Sequence, residues 1–232
     1  MIVEQFSRDQ RQPVHREINT VFVKPRNWFN PNLEYLWFTV PSLVVIITLQ
    51  VSMNVTTMSV PREREMGTFD QLLISPLGPV EMMIGKMIPA FFLALFDATV
   101  FVLVAVFIFR IPFRGSLPLL YLSLIVFVSS VVGIGLLIST FCSTQQQAML
   151  GTMSVMMPAL IMSGYMSPIE NMPGWLQVIT SVNPLRYIMV IVKGVFLKAM
   201  PAEVVFANIW PMAAIAVVTL SVATLFFRRR LA

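Results

Sequence analysis

The side chains that most often carry chemistry are scarce in this chain and do not converge. There is one histidine, His15, and one cysteine, Cys142, so neither a His/Cys metal cluster nor an internal disulfide can be assembled. The nearest approach to a phosphate-binding loop is GPVEMMIGKM at residues 78–87. Its glycines stand seven apart instead of five, and Met87 occupies the place where Ser or Thr would bind magnesium. No nucleotide site is therefore expected in the chain, and no Ser/His pair or paired carboxylates gather within its apolar stretches, which argues against an intramembrane enzyme. Asp97 is the one acid in the middle of an apolar run, where a bilayer location costs about 2.5–3.5 kcal/mol on insertion scales. It reads either as a cation-attracting or proton-sensitive group or as a carboxyl bonded to a neighbouring helix.

The surroundings of these residues are written for lipid. The 232 residues are 57% hydrophobic and 12% charged, with 18 Phe and 17 Met, and the mean hydropathy is +0.80. That is membrane-protein composition. The net charge of +5 sits on scattered basic residues at loop ends, as headgroups and solvent favour, and not on one helix or among aromatics as nucleic acid would require. A spanning helix needs roughly 20 mainly apolar residues. Five runs qualify, at about 38–60, 87–109, 117–139, 147–165 and 206–227, so the fold class is an all-α polytopic membrane protein. Residues 1–37 are polar, with a short strand expected at 21–23. Residues 166–205 are interrupted by Pro168, Pro173, Pro184 and Pro201. The 11-residue apolar run 187–197 is too short to span and reads as a re-entrant or interfacial helix.

Several local features have a physical reading. In the first span, Gln50, Ser52, Asn54, Thr56 and Thr57 cannot all face lipid; they either hydrogen-bond a neighbouring helix or line a polar path. Gly133 and Gly135 permit close helix approach. Thr144 followed by Gln147 fits a capping box ahead of the fourth span. Met149, Met153, Met156, Met157, Met162 and Met166 crowd that span, either as helix packing or as an adaptable surface for varied hydrophobic ligands. Asn54, Asp97, Met153 and Met157 are the candidates for a substrate path.

The densest charge lies at residues 61–89, PREREMGTFDQLLISPLGPVEMMIGKMIP, where four acids and three bases fall in 29 positions between two spans. Met66, Phe69, Leu72 and Leu73 recur at helical spacing opposite Glu63, Arg64, Asp70 and Gln71, which predicts one amphipathic helix over 62–75 stopped by Pro76. Gly67 inside that helix costs about 1 kcal/mol relative to Ala, a cost that makes sense where another backbone comes close. Pro79 opens the next helix at its first turn. Such a helix suits a cleft in a soluble partner or, with no partner, the headgroup layer. Orientation stays open on the basic residues: ten lie on the side of the N-terminal tail and six on the other, yet the densest cluster, Arg228 to Arg230, belongs to the six.

PREREMGTFDQLLISP resembles the signature of type-2 ATP-binding-cassette (ABC) export permeases, in which an acidic-basic run, a Gly-Thr, an acid, a Leu-Leu pair and a Ser/Thr-Pro follow a span. The resemblance continues through STFCSTQQQA (139–148), SGYMSPIENMP (163–173) and NPLRY (183–187), covers about residues 27–230, and is greatest to the enterobacterial-type drug-export permeases. It implies a cytoplasmic coupling helix whose Glu63, Glu65, Gly67, Thr68, Phe69, Asp70, Leu72, Leu73 and Pro76 engage a separate ABC ATPase subunit. ATP and magnesium would sit on that partner, with no cofactor on this chain. It further implies a bacterial inner-membrane location with the C-terminus cytoplasmic and residues 166–205 outside. The implied partners are a second permease subunit in a homo- or heterodimer, a periplasmic adaptor protein and membrane lipid, without nucleic acid. The implied activity is ATP-driven export of hydrophobic or amphiphilic, drug-like compounds. Members of this kind begin with a further span and a large extracytoplasmic domain, of which residues 1–37 resemble the last part. An N-terminally shortened chain is thus expected, and a transport-inactive remnant or non-transporting membrane subunit is the alternative reading.

Overall fold

Apolar runs of 25 to 31 residues have one way to satisfy their backbone in lipid, the α-helix, and the computed structural model is built of such helices. It describes residues 34–74 and 78–231. The elements are α1 Tyr35–Glu65, the short α2 Phe69–Ile74, α3 Pro79–Leu103 continuing as a π-helical turn Val104–Ile108, α4 Leu117–Phe141, α5 Gln145–Ile161, a 3-10 turn Ile169–Asn171, α6 Gly174–Thr180, α7 Pro184–Lys198 and α8 Ala202–Leu231. No strand occurs among the described residues; the strand expected at 21–23 lies outside them.

Four helices, α1, α3, α4 and α8, are long and apolar enough to cross a membrane, and α6 with α7 forms a further pair bent by 79°. The run expected as a fourth span, 147–165, falls on α5, which with 17 residues is shorter than those four helices and is not counted with them. Thr144 caps it as expected, accepting from the Gln147 backbone N–H at 3.3 Å, while the Gln147 carboxamide accepts from Ser143 N–H at 2.9 Å.

The core lies where α1 and α4 meet. α1 packs against α3, α4, α5 and α7, and α4 also packs against α8. The two glycines of α4 make this approach possible. A Cβ on Gly133 would overlap Thr219 Oγ1 of α8, and one on Gly135 would overlap Thr56 Oγ1 of α1. Around them Val45, Leu49, Phe127, Val131, Ile188, Val195 and Met212 are fully or nearly fully buried. The polar residues of α1 are satisfied mostly within their own helix: Thr48, Ser52 and Thr56 donate to the carbonyls of Val44, Thr48 and Ser52, each at 2.7 Å. Only Thr57 among these reaches a neighbour, Thr152 Oγ1 of α5 at 2.8 Å.

The NPLRY segment sets the bend between α6 and α7. Asn183 caps α7 by accepting from Leu185 N–H at 3.1 Å and donates to Ala159 O of α5 at 2.7 Å. Arg186 donates to Thr180 Oγ1 at 2.7 Å, and the Tyr187 hydroxyl donates to Ser181 O at 2.8 Å. Nine residues of α7 are buried, so this helix sits inside the bundle more than on a headgroup layer. The loop 110–116 docks on it through Arg114 N–H to Phe196 O at 3.1 Å and an edge-to-face pair, Phe113 and Phe196, at 5.1 Å.

Candidate functional site

The charged segment does not form the single helix over 62–75 that its periodicity predicts. Instead α1 continues through Pro61 to Glu65, the chain turns at residues 66–68, and α2 begins at Phe69. The reason is Gly67, whose φ is +70°. Left-handed backbone at this position ends the helix with a paired closure: Gly67 N–H donates to Arg64 O at 3.2 Å and Thr68 N–H to Glu63 O at 3.0 Å, the two bonds of a Schellman motif. Nothing lies within 4 Å of a Cβ built there, so within this chain Gly67 is required by its conformation; no backbone of the chain itself comes close. Pro61 fails to stop α1. The N–H just before it, that of Val60, donates to Ser139 Oγ of α4 at 3.1 Å, which ties this turn to the bundle.

Beyond Pro61 three successive side chains go to three different neighbours. Helix positions one apart diverge by about 100°, so each faces a separate element. Glu63 pairs with Lys86 of α3, whose side chain is 9% exposed. Arg64 donates to Cys142 O at the end of α4 at 3.4 Å and lies 4.9 Å over the Phe69 ring of α2. Glu65 accepts from Gln145 N–H, the first residue of α5, at 2.8 Å and from its side-chain amide. A carboxylate at a helix N-terminus is favoured by the aligned peptide dipoles and bare N–H groups there. Thr68 Oγ1 donates to Glu63 O at 3.3 Å. At the start of α3, Gly78 N–H donates to Glu81 Oε2 at 2.9 Å, and Pro79 takes the first-turn position as expected.

Five of the expected coupling residues, Glu63, Glu65, Gly67, Thr68 and Phe69, are thus brought together at one end of the bundle. Asp70, Leu72 and Leu73 lie on α2, and Pro76 lies outside the described residues. Sequence reasoning assigned no role to Lys86, Ser139 or Gln145. The spacing from Glu63 to Lys86 is 23 residues and from Glu65 to Gln145 is 80, and no local periodicity reports a contact across such intervals.

Beside this end a cleft of about 650 Å³ opens between α1 and α3, lined among others by Asn54, Arg62, Glu63, Lys86 and Gln145. Of the candidates for a substrate path, only Asn54 lines it. Asp97 lies on α3 about 16 Å further along the helix than Lys86, at 1.5 Å per residue. It is half-buried, and its Oδ2 is buried with no hydrogen-bond partner, so the expected bond to a neighbouring helix is not made by that oxygen. Met153 and Met157 are 54% and 58% exposed on α5, turned outward and not packed within this chain. Among the described residues no group of acids, His or Cys could hold a metal ion.

Residues 2–225 match the family model described as ABC-2 family transporter protein. The chain is 49% identical over 205 residues to the probable multidrug ABC transporter permease YbhR of Escherichia coli, covering 88% of this chain and 56% of that protein. It is 33% identical over 210 residues to the probable multidrug ABC transporter permease YbhS of the same organism, covering 90% and 56%. It is 26% identical over 223 residues to the inner membrane transport permease YhhJ, also of Escherichia coli, covering 96% and 58%. The chain therefore spans a little over half the length of the curated relatives it matches. With a family match across nearly its whole length and an all-helical, multi-pass architecture, the chain belongs to the ABC-2 family of transporter permeases.

Proposed function

We propose that this chain is the membrane-embedded permease part of an ATP-driven exporter of hydrophobic or amphiphilic compounds, coupled to a separate ATPase subunit. The observation that carries the reading is the anchoring of the turn from which α2 leaves α1. A left-handed glycine closes α1, Arg64 lies over Phe69, and Glu63 and Glu65 join the same turn to α3 and α5. Force applied to α2 by a soluble partner is passed to the ends of four longer helices at once. The partner in this reading carries the ATP and magnesium, docks on α2 and places this end of the bundle, with the C-terminus of α8, in the cytoplasm of a bacterial inner membrane. Arg228 and Arg229 at that terminus agree with the positive-inside tendency.

The reading extends to a second permease subunit beside this one and to a periplasmic adaptor protein. The substrate enters by the cleft at Asn54, Asp97 attracts a cationic group further along α3, and the outward-facing Met153 and Met157 offer an adaptable apolar surface. The deciding experiment is co-expression with the cognate ABC ATPase subunit, followed by co-purification and vesicle transport of a fluorescent amphiphilic dye. ATP-dependent dye movement that requires both subunits is the expected result. A complex that forms but moves nothing removes the export reading, and failure to form a complex removes the coupling role of α2.

A further inference from the structure

At the other end of α1, about 37 Å from Glu63 by the helical rise, lies a second polar feature. Lys193 of α7 places its Nζ 3.6 Å above the Phe38 ring centroid of α1 and 5.8 Å from that of Tyr165. The two rings stand parallel, 6.1 Å apart and tilted by 6°. Lys193 is half-buried and, among the described residues, forms no ion pair with a carboxylate and donates no hydrogen bond. Its ammonium rests on the aromatic face and borders an open pocket, with N–H donors that have no acceptor among the described residues and with no carboxylate to neutralise the charge, as half-buried cations normally have.

The same ammonium lines a pocket of about 380 Å³ whose apolar wall is Pro168, Ile169, Met189 and Val190. The pocket's shape and chemistry constrain the charge of an occupant. The aromatic face that would attract a cation is already covered by Lys193, and a second cation would meet like charge at close range. Glu170 contributes a carboxylate, but it is exposed at the rim, where solvent screens it.

We propose that this pocket binds the acidic headgroup of an amphiphile, a phosphate or carboxylate, with Lys193 as its counter-cation and the apolar wall holding the first methylenes of the chain. The anion accepts the idle N–H donors of Lys193, and Phe38 and Tyr165 fix the lysine stem in place. Bound there, the ligand joins α1, α7 and the segment between α5 and α6. The inference rests on this pocket alone and does not depend on coupling at the opposite end.

The test uses the full chain in an uncharged detergent and native mass spectrometry of retained adducts. The probes are phosphatidylglycerol, phosphatidylcholine, dodecyl phosphate and dodecyltrimethylammonium. Phosphatidylglycerol or dodecyl phosphate is expected to be retained over the other two. Lys193→Met is expected to lower that retention about tenfold, the scale of one charge-assisted hydrogen bond, and Lys193→Arg to keep it. Retention of phosphatidylglycerol alone identifies a lipid site, and retention of dodecyl phosphate alone identifies a soluble amphiphile; either supports the proposal. Equal retention of the cationic probe, or no change with Lys193→Met, overturns it. Glu170→Gln, on the exposed rim where solvent screens the charge, is expected to retain the acidic probes as the unaltered chain does while Lys193→Met loses them; a loss as large as that of Lys193→Met counts against Lys193 as the counter-cation.

Discussion

Glu63 of α1 and Lys86 of α3 form an ion pair across the mouth of the cleft, with side chains 29% and 9% exposed. Removing one partner leaves the other charge in a poorly hydrated place, which costs more than the pair contributes. Glu63→Gln or Lys86→Met is expected to destabilise the detergent-solubilised protein by about 1–3 kcal/mol. The double variant is expected to recover part of that loss. A thermal-melt double-mutant cycle checks this, and strictly additive single effects would show the pair to be uncoupled.

Gly67 separates two explanations for the turn at residues 66–68, local conformation and contact with a partner. In left-handed backbone a β-carbon costs about 1–2 kcal/mol, and Asn tolerates it best among the non-glycine residues. Gly67→Val is therefore expected to weaken co-purification of the ATPase subunit while membrane insertion is unchanged, and Gly67→Asn to retain most of it. If Gly67→Asn abolishes association as fully as Gly67→Val, the partner contacts the glycine itself.

The glycines of the spanning helices should divide sharply. Gly135→Ala pushes a methyl into Thr56 and is expected to cost about 1–3 kcal/mol as an overpacked contact. Gly85 of α3 has nothing within 4 Å of a built Cβ, so Gly85→Ala is expected to be neutral or to stabilise by up to about 1 kcal/mol through helix propensity. Melting temperatures of the two variants in the same detergent give the comparison.

The carboxylate of Glu65 serves the first turn of α5 and not the core. Glu65→Ala is expected to leave the melting temperature nearly unchanged while the amides of residues 145–148 exchange faster with deuterium. Unchanged exchange would mean that Thr144 alone suffices to hold that helix start.

Asp97 tests a cost against a use. In the isolated α3 segment, Asp97→Leu is expected to improve insertion by about 3–4 kcal/mol, the Asp cost and the Leu gain at a helix centre taken together. Asp97→Asn in the assembled exporter is expected to lower transport of cationic dyes selectively. Normal export of every cationic dye by Asp97→Asn would remove Asp97 from the substrate path.

Length and hydropathy made α1, α3, α4 and α8 readable from the sequence, because in lipid an apolar run has few alternatives to a helix. The Thr144 cap and the opening Pro79 were readable for a similar reason: their signals are local. The break at Gly67 was not, since a helical pattern of Met66, Phe69, Leu72 and Leu73 continues across it and only the backbone dihedral shows the interruption. The polar residues of α1 misled in another way. Bonds from Thr48, Ser52 and Thr56 to their own helix satisfy the hydroxyls without a neighbour, an option that composition does not distinguish from an interhelical bond. The site residues Lys86, Ser139 and Gln145 became visible only when α1, α3, α4 and α5 were assembled.

The two glycines of α4 also set a kinematic limit. Gly133 admits Thr219 from one side and Gly135 admits Thr56 from another, so any roll of α4 about its long axis would drive a bulkier neighbour against one of these threonines. With α1 and α8 seated in those notches, the three helices behave as a fixed chassis. In the export cycle proposed above, the members left to move are those that keep a broad uncovered side, α3 with Phe92 and Phe96, its continuation with Phe107, and α5 with Met153 and Met157.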